Sequence, residues 1–217
     1  MPHILLTGFE PFDRETLNPS AEVVQALAGQ AVAGWTVQGL VLPCVFDAVA
    51  APLQQALDTW RPGVVICLGQ AGGRAGISLE RVAINFDDAR IPDNAGAQPR
   101  DRPVLPGGAP AHFTRLPVKA IVQGLVEAGL PAEVSLTAGS FVCNHLFYRL
   151  MQAIRRRPSV QAGFVHLPWL PEQAARRPVA APSLPLARQV QAVHLALQTT
   201  LAWRGRGDLA AVGGQLN

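Results

Sequence analysis

Short, almost wholly apolar runs alternate along this chain with segments whose apolar residues recur at helical spacing, and that alternation limits the fold more than any other feature. Runs at 3–9, 35–44, 63–68, 79–86, 133–138 and 162–167 read as strands. Between and after them, 18–27, 45–60, 116–128, the segment following Cys143 and 184–203 read as helices. Several runs lack polar alternation, as strands covered on both faces do. The expected fold is therefore α/β: a three-layer α/β/α arrangement with a mostly parallel twisted sheet and helices on both faces. In such sheets a ligand site lies beyond the carboxyl ends of the strands. We expect one domain over 1–217, with 205–217 a poorly ordered tail.

Composition removes several function classes. With 49% hydrophobic and 15% charged residues the chain suits a compact fold rather than a disordered one. No apolar run reaches the length needed to cross a bilayer, so no membrane partner is expected. The start, Met1-Pro2-His3-Ile4, lacks a basic region and a small-residue cleavage site, which places the protein in the cytoplasm as an expectation. Net charge is only +3, and Arg155-Arg156-Arg157 closes a helix without interleaved aromatics, so no nucleic-acid surface is expected. Three cysteines without a close pair give neither a disulfide framework nor a zinc pattern. Free thiols and no metal are the expectation. Cys44 and Cys67 end or interrupt apolar runs and read as structural.

Cys143 stands where the run at 133–138 and a turn feed into a helix. First-turn N–H groups have no intrahelical partner and carry partial positive charge. They would ease ionisation of a thiol, from about 8.5 into a range of roughly 3.5 to 7.5 with a cation nearby. The same groups could hold an oxyanion. Alone, such a cysteine is more often a small buried hydrophobe.

Its partners lie elsewhere. Glu80, in an extended segment, shares a face with Val82, Ile84 and Phe86, where a carboxylate needs a partner. An exposed strand start is the alternative. His166 ends the run at 162–167. A nucleophilic cysteine needs a base and a group that orients the base, roles that His166 and Glu80 can fill. His145, two residues past Cys143, faces away from the thiol on a helix. The glycine-rich 69–76 turn matches no phosphate-binding fingerprint and reads as a tight loop. The segment 87–110 has no period and reads as a lid or an oligomer contact.

At these residues the chain resembles the pyroglutamyl peptidase I family. The matching pieces are Leu5-Leu-Thr-Gly-Phe-Glu-Pro-Phe12, Asn18-Pro-Ser20, Cys67-Leu-Gly-Gln-Ala-Gly-Gly-Arg74, Glu80-Arg-Val-Ala-Ile-Asn85, Asp87-Asp-Ala-Arg-Ile-Pro-Asp-Asn94, Thr137-Ala-Gly139, Val142-Cys-Asn-His-Leu-Phe-Tyr148, Gly163-Phe-Val-His166 and Pro171-Glu-Gln173. The resemblance implies an α/β/α cysteine peptidase that removes an N-terminal pyroglutamyl residue through a thioester, with Glu80, Cys143 and His166 as triad. It implies no cofactor, peptides with N-terminal pyroglutamate as partners, and a homo-oligomer, tetramer or dimer. Phe9, Phe12, Asn18, Gln70 and Phe141 fall at ring-recognition positions. Arg90 falls at a position that supports thiolate or oxyanion, with an Asp87 or Asp88 ion pair as its alternative. Where the family usually has two glycines after Phe12, this chain has Asp13-Arg14. Two other readings remain: a binder of such peptides without efficient turnover, and a phosphorylase-like transferase using the glycine-rich turn.

Overall fold

The computed structural model describes residues 1–212. In chain order the elements are β1 (His3–Phe9), α1 (Pro19–Leu27), β2 (Ala31–Val32), β3 (Trp35–Leu42), α2 (Ala50–Trp60), β4 (Val64–Gln70), β5 (Ile77–Glu80), β6 (Val82–Ile84) and β7 (Ala111–Phe113). There follow α3 (Val118–Glu127), β8 (Ala132–Ser135), α4 (Val142–Ala153), β9 (Gln161–Leu167), α5 (Pro171–Ala174) and α6 (Leu186–Ala202). A main sheet in the order β2-β3-β1-β4-β9-β5-β8 forms the middle layer, and β6 with β7 forms a separate two-stranded sheet.

The four central strands β3, β1, β4 and β9 are mutually parallel, as their buried composition predicts. Successive residues of these strands point to opposite faces. Ile4, Leu6, Val64, Ile66, Leu68, Val165 and Leu167 pack with Val23, Ile121 and Val193 into one apolar layer. Leu5, Phe9, Val65, Cys67, Ala162 and Phe164 pack with Leu53, Leu57, Leu146 and Leu150 into the other. Helices thus cover both faces.

Close approach is built in at Gly8, where a Cβ would run into the Ser20 carbonyl, so α1 lies directly on β1. Asn18 starts that helix, its side-chain oxygen accepting from the Ser20 N–H at 3.0 Å.

Several elements differ from the sequence reading. The expected strand over 79–86 breaks at Arg81, whose N–H goes to Ser135 while its carbonyl accepts from Thr114, so the chain leaves the main sheet there. The sheet is mixed: β5 runs antiparallel to β9 and parallel to β8. The second helix begins at Ala50, because 45–49 turns back where Asp93 accepts the Phe46 N–H. Residues 87–110 have no regular structure yet are pinned throughout. Asp87 and Arg102 exchange backbone bonds, Asn85 brackets Leu105, and Ala109 accepts from Tyr148. In the expected tail, Asp208 accepts from the Lys119 and Ala120 N–H groups at the start of α3. The rest of that tail, 213–217, lies outside the described residues.

Candidate active site

Cys143 is the second residue of α4, whose N-terminal boundary residue Phe141 provides no side-chain cap. First-turn N–H groups are left without a side-chain acceptor, as an oxyanion site requires. The sulfur lies directly over β4. A Cβ built on Gly69 would stand 2.7 Å from Sγ and 2.8 Å from the Phe164 ring. Gly69 in turn pairs with His166 on β9. The Cys143 sulfur and the His166 imidazole therefore lie on one face of the sheet, over neighbouring strands spaced about 5 Å apart.

His166 and Glu80 meet diagonally across the antiparallel pair, because Ser78 lies opposite His166 and Glu80 opposite Phe164. Nδ1 and Oε1 are 2.7 Å apart. A carboxylate only accepts, so Nδ1 carries the hydrogen and Nε2 is left as the basic nitrogen. Glu80 is fully buried. Burial alone raises a carboxyl, but the hydrogen bond and charge of His166, with Ser135 and Arg74 behind them, hold Glu80 below its ordinary value.

Arg74 was not singled out from the sequence. Its guanidinium stands 2.7 Å from the Oε1 that binds His166 and donates to the Thr137 carbonyl at 3.0 Å. Burial, followed by the fields of Cys44 and Glu80, pushes the Cys143 thiol well above its ordinary value, while Arg74 draws it down. The eased ionisation expected at a helix start is thus reversed. The residue keeps an opening to solvent, yet the sulfur is crowded against Gly69, and desolvation outweighs the helix start. Cys44 and Cys67 are both pushed up to about 12 by burial, which leaves them inert at neutral pH.

The helix start is held by its next two residues. Asn144 accepts the Ile84 N–H and donates to the Ile84 and Phe86 carbonyls. His145 turns away from the thiol and pairs with buried Asp87 at 2.9 Å.

Around a cavity of about 250 Å³ lie Phe12, Asp88, Arg90, Ile91, Ser140 and Phe141. Phe12 and Phe141 face each other with ring centroids 6.0 Å apart, and Phe46 meets Phe141 edge-on. Three residues expected at the substrate, Phe12, Phe141 and Arg90, are therefore gathered at one opening. The others lie elsewhere. Phe9 is 2% exposed in the core. Asn18 spends its oxygen on Ser20 and donates to the Glu10 carbonyl.

Gln70 is oriented by Gln173, which the sequence reading left without a role. The Leu170 N–H donates to Gln173 Oε1, so the Gln173 amide nitrogen must face Leu17 O and Gln70 Oε1, at 3.3 and 2.9 Å. Gln70 is left with its own amide nitrogen, a donor, for a ligand. Among the described residues no cluster of three or more His, Cys, Asp or Glu side chains is arranged to hold a metal ion.

A helix-start thiol above a strand that carries a carboxylate-bound imidazole, on a mostly parallel sheet layered by helices, defines the class: an α/β cysteine peptidase. The chain belongs to the pyroglutamyl peptidase family, whose model matches residues 2–202. It is 52% identical over 219 residues to the pyrrolidone-carboxylate peptidase of Cupriavidus taiwanensis, covering all of both chains. It is 53% identical to the one from Chromobacterium violaceum, over 96% of each. The crystal structure of pyroglutamyl peptidase I from Bacillus amyloliquefaciens superimposes with a TM-score of 0.93 at 44% identity, over 98% of this chain and 100% of that one.

Proposed function

We propose that this single-domain enzyme hydrolyses the amide bond after an N-terminal L-pyroglutamyl residue, with Cys143 as nucleophile, His166 as proton carrier and Glu80 as the group that orients His166. The observation that carries the reading is the 2.7 Å bond from His166 to buried Glu80, on the face where the Cys143 sulfur overlies Gly69. Because burial keeps the thiol neutral at rest, His166 takes its proton as the sulfur attacks the pyroglutamyl carbonyl. N–H groups at the start of α4 hold the tetrahedral oxyanion. His166 then protonates the leaving amine, and the thioester left on Cys143 is opened by a water that His166 activates. Free pyroglutamate and a shortened peptide are the products.

Pyroglutamate is a neutral lactam, which suits apolar walls with few polar groups. Phe12 and Phe141 supply walls, Phe9 backs them from the core, and the Gln70 amide nitrogen supplies a hydrogen bond, while Asn18, engaged by Ser20 and the Glu10 carbonyl, holds the adjoining loop. Arg90, at the same opening, supports the developing negative charge. Asp13 and Arg14, with φ of 53° and 62°, take the left-handed turn that a glycine pair would take, so the altered residues follow that path at the expense of strain. No cofactor enters this reaction. We place the enzyme in the cytoplasm, where its free cysteines stay reduced. No described helix is long and apolar enough to cross a membrane. A homotetramer or homodimer would cover Phe113 and Leu136, which are 69% and 70% exposed. Light scattering of the purified protein tests that part.

The deciding experiment is release of a fluorogenic amine from an L-pyroglutamyl amide, with and without prior iodoacetamide, on this protein and on Cys143→Ala. We expect activity that both treatments abolish. Turnover by a folded Cys143→Ala protein would remove the nucleophile, and no turnover by the reduced, folded parent would leave a binder of such peptides.

A further inference from the structure

We propose that Arg74 is the standing counterion of Glu80 and a positioning residue for the reaction, holding that carboxylate ionised and aimed at His166 through both halves of the cycle. The inference rests on the triad reading above. Glu80 has no exposed surface, and an ionised carboxylate in that position needs a cationic or hydrogen-bonded partner at every stage. His166 is such a cation only after it has taken the Cys143 proton. The form of the imidazole that can accept that proton is uncharged and gives Glu80 a hydrogen bond but no counter-charge. Arg74 stays charged throughout, and its guanidinium stands 2.7 Å from the same Oε1 that His166 binds at 2.7 Å.

The charges of the cluster balance in both states. At rest they are Arg74⁺ and Glu80⁻; after transfer His166⁺ and the Cys143 thiolate are added, and the sum is again zero. Proton transfer leaves the sum unchanged with or without Arg74; what Arg74 contributes is a total of zero rather than −1 beneath α4 in both states. The Arg74 side chain is 26% exposed, so its guanidinium keeps part of its hydration and the pair escapes the full desolvation penalty.

A second contact explains why the cation is arginine. The other arm donates to the Thr137 carbonyl at 3.0 Å, in the segment that leads from β8 into α4. One planar fork thus ties the turn after β4, the end of β5 and the approach to the nucleophile, which an ammonium serving as a point charge does not do. The charged groups that act on Glu80 are His166 from β9 and Arg74 from the β4–β5 turn, and Cys44, Glu80, Arg74 and Cys67 act on Cys143; Glu133 from β8 accepts from Ser78, which lies opposite His166. Ser135 from β8 completes the surroundings of Glu80.

The test measures kcat and KM on the L-pyroglutamyl amide across pH for the parent, Arg74→Gln, Arg74→Lys, Glu80→Gln and the Glu80→Gln/Arg74→Gln pair, with thermal unfolding as a folding control. Removing the third member of a comparable triad costs about 10⁴ in kcat. A residue acting through that member should cost less, roughly 10- to 100-fold for Arg74→Gln, mostly in kcat. With the fixed cation gone, imidazolium is held more firmly by Glu80, so the acidic limb of kcat moves to higher pH. In the Glu80→Gln background, Arg74→Gln should cost less than about threefold, because the two act as one unit. An acidic limb that superimposes on the parent's, or an equal loss in both backgrounds, would make Arg74 only a pin for the Thr137 loop and overturn the proposal. If Arg74→Gln does not stay folded, Arg74→Met, which also removes the charge, carries the same test, with Arg74→Lys as the control that keeps it. The limb should move in Arg74→Met and stay in place in Arg74→Lys, and an unmoved limb in Arg74→Met overturns the proposal. Full activity in Glu80→Gln would instead bring down the triad reading itself.

Discussion

A single missing methyl group decides where the nucleophile can sit. Cys143 Sγ occupies space over Gly69 that a Cβ would enter at 2.7 Å, with the Phe164 ring at 2.8 Å on the other side. Gly69→Ala must therefore displace the thiol, the ring or both. We expect kcat to fall at least about 100-fold, as small misplacements of reacting groups do, with a stability loss of about 1–3 kcal/mol from overpacking in a urea titration. Activity close to the parent's would refute that role for Gly69. At Arg14 the reverse substitution is informative. A φ of 62° costs an arginine about 1–2 kcal/mol, and glycine's larger unfolded-state entropy offsets about 0.5–1 kcal/mol of any relief. Arg14→Gly should therefore raise stability by up to about 1 kcal/mol in a urea titration; a drop would contradict the strain. At this scale the sequence spoke unevenly. Cys143, His166 and Glu80 were singled out from residue type and position alone, and the fold sets His166 against Glu80 with the Cys143 sulfur over Gly69. Arg74 and Gln173 were not, because each has meaning only through a contact that the fold makes: Arg74 meets Glu80 only once the turn after β4 folds back, and Gln70 is 103 positions from Gln173.

Element by element, the reading held where a residue pattern fixes the answer and failed where a partner does. Unbroken apolar runs gave β1, β4 and β9, and helical period gave α4 and α6. Nothing in the run at 79–86 reveals that it pairs antiparallel with β9 or that it leaves the sheet at Arg81, since periodicity reports a face and not a neighbour. That direction matters for the site. Glu80 is the last residue of β5, but because β5 runs antiparallel to β9 it ends opposite Phe164 and reaches His166 diagonally, not from the edge at which the parallel strands end. The start of α4 likewise depends on a distant element, because Asn144 closes both hydrogen-bonding groups of Ile84 and the Phe86 carbonyl. Asn144→Ala would leave the Ile84 N–H and the Ile84 and Phe86 carbonyls, all part-buried bonds, without their partner, each worth up to about 1–3 kcal/mol. A stability loss of roughly 2–4 kcal/mol is expected, with kcat reduced because the turn carrying Cys143 loosens. A variant as stable as the parent would show that α4 is held by its apolar face alone.

For the molecule as a whole, the buried ionisable groups predict where in pH the fold is safest. Glu80 is held below its ordinary value, so its contribution is present above the ordinary glutamate range, about 4.3, and is lost as pH falls through the lower folded value. The thiols act in the opposite direction. Cys44 and Cys67 are raised from 9.0 to about 12, and Cys143 is raised as well. Folded, they keep their protons; unfolded, they release them near 9. The unfolded chain then binds fewer protons, so stability falls with rising pH by up to about 1.4 kcal/mol per unit for each thiol. That loss begins near pH 9 and continues toward 12 for the two buried cysteines. Tyr148, raised from 10.0 by burial, adds to it at higher pH. The check is the urea midpoint under reducing conditions between about pH 7.5 and 10, for the parent and for Cys67→Ala. The substitution leaves a small cavity whose cost does not depend on pH, so the absolute midpoint falls at every pH and only the slope reports the thiol. With one of three raised thiols removed, the alkaline slope should shrink by about a third. An unchanged slope would mean that Cys67 ionises as readily in the folded protein as in the unfolded chain, which its place in β4, with no exposed surface, rules against.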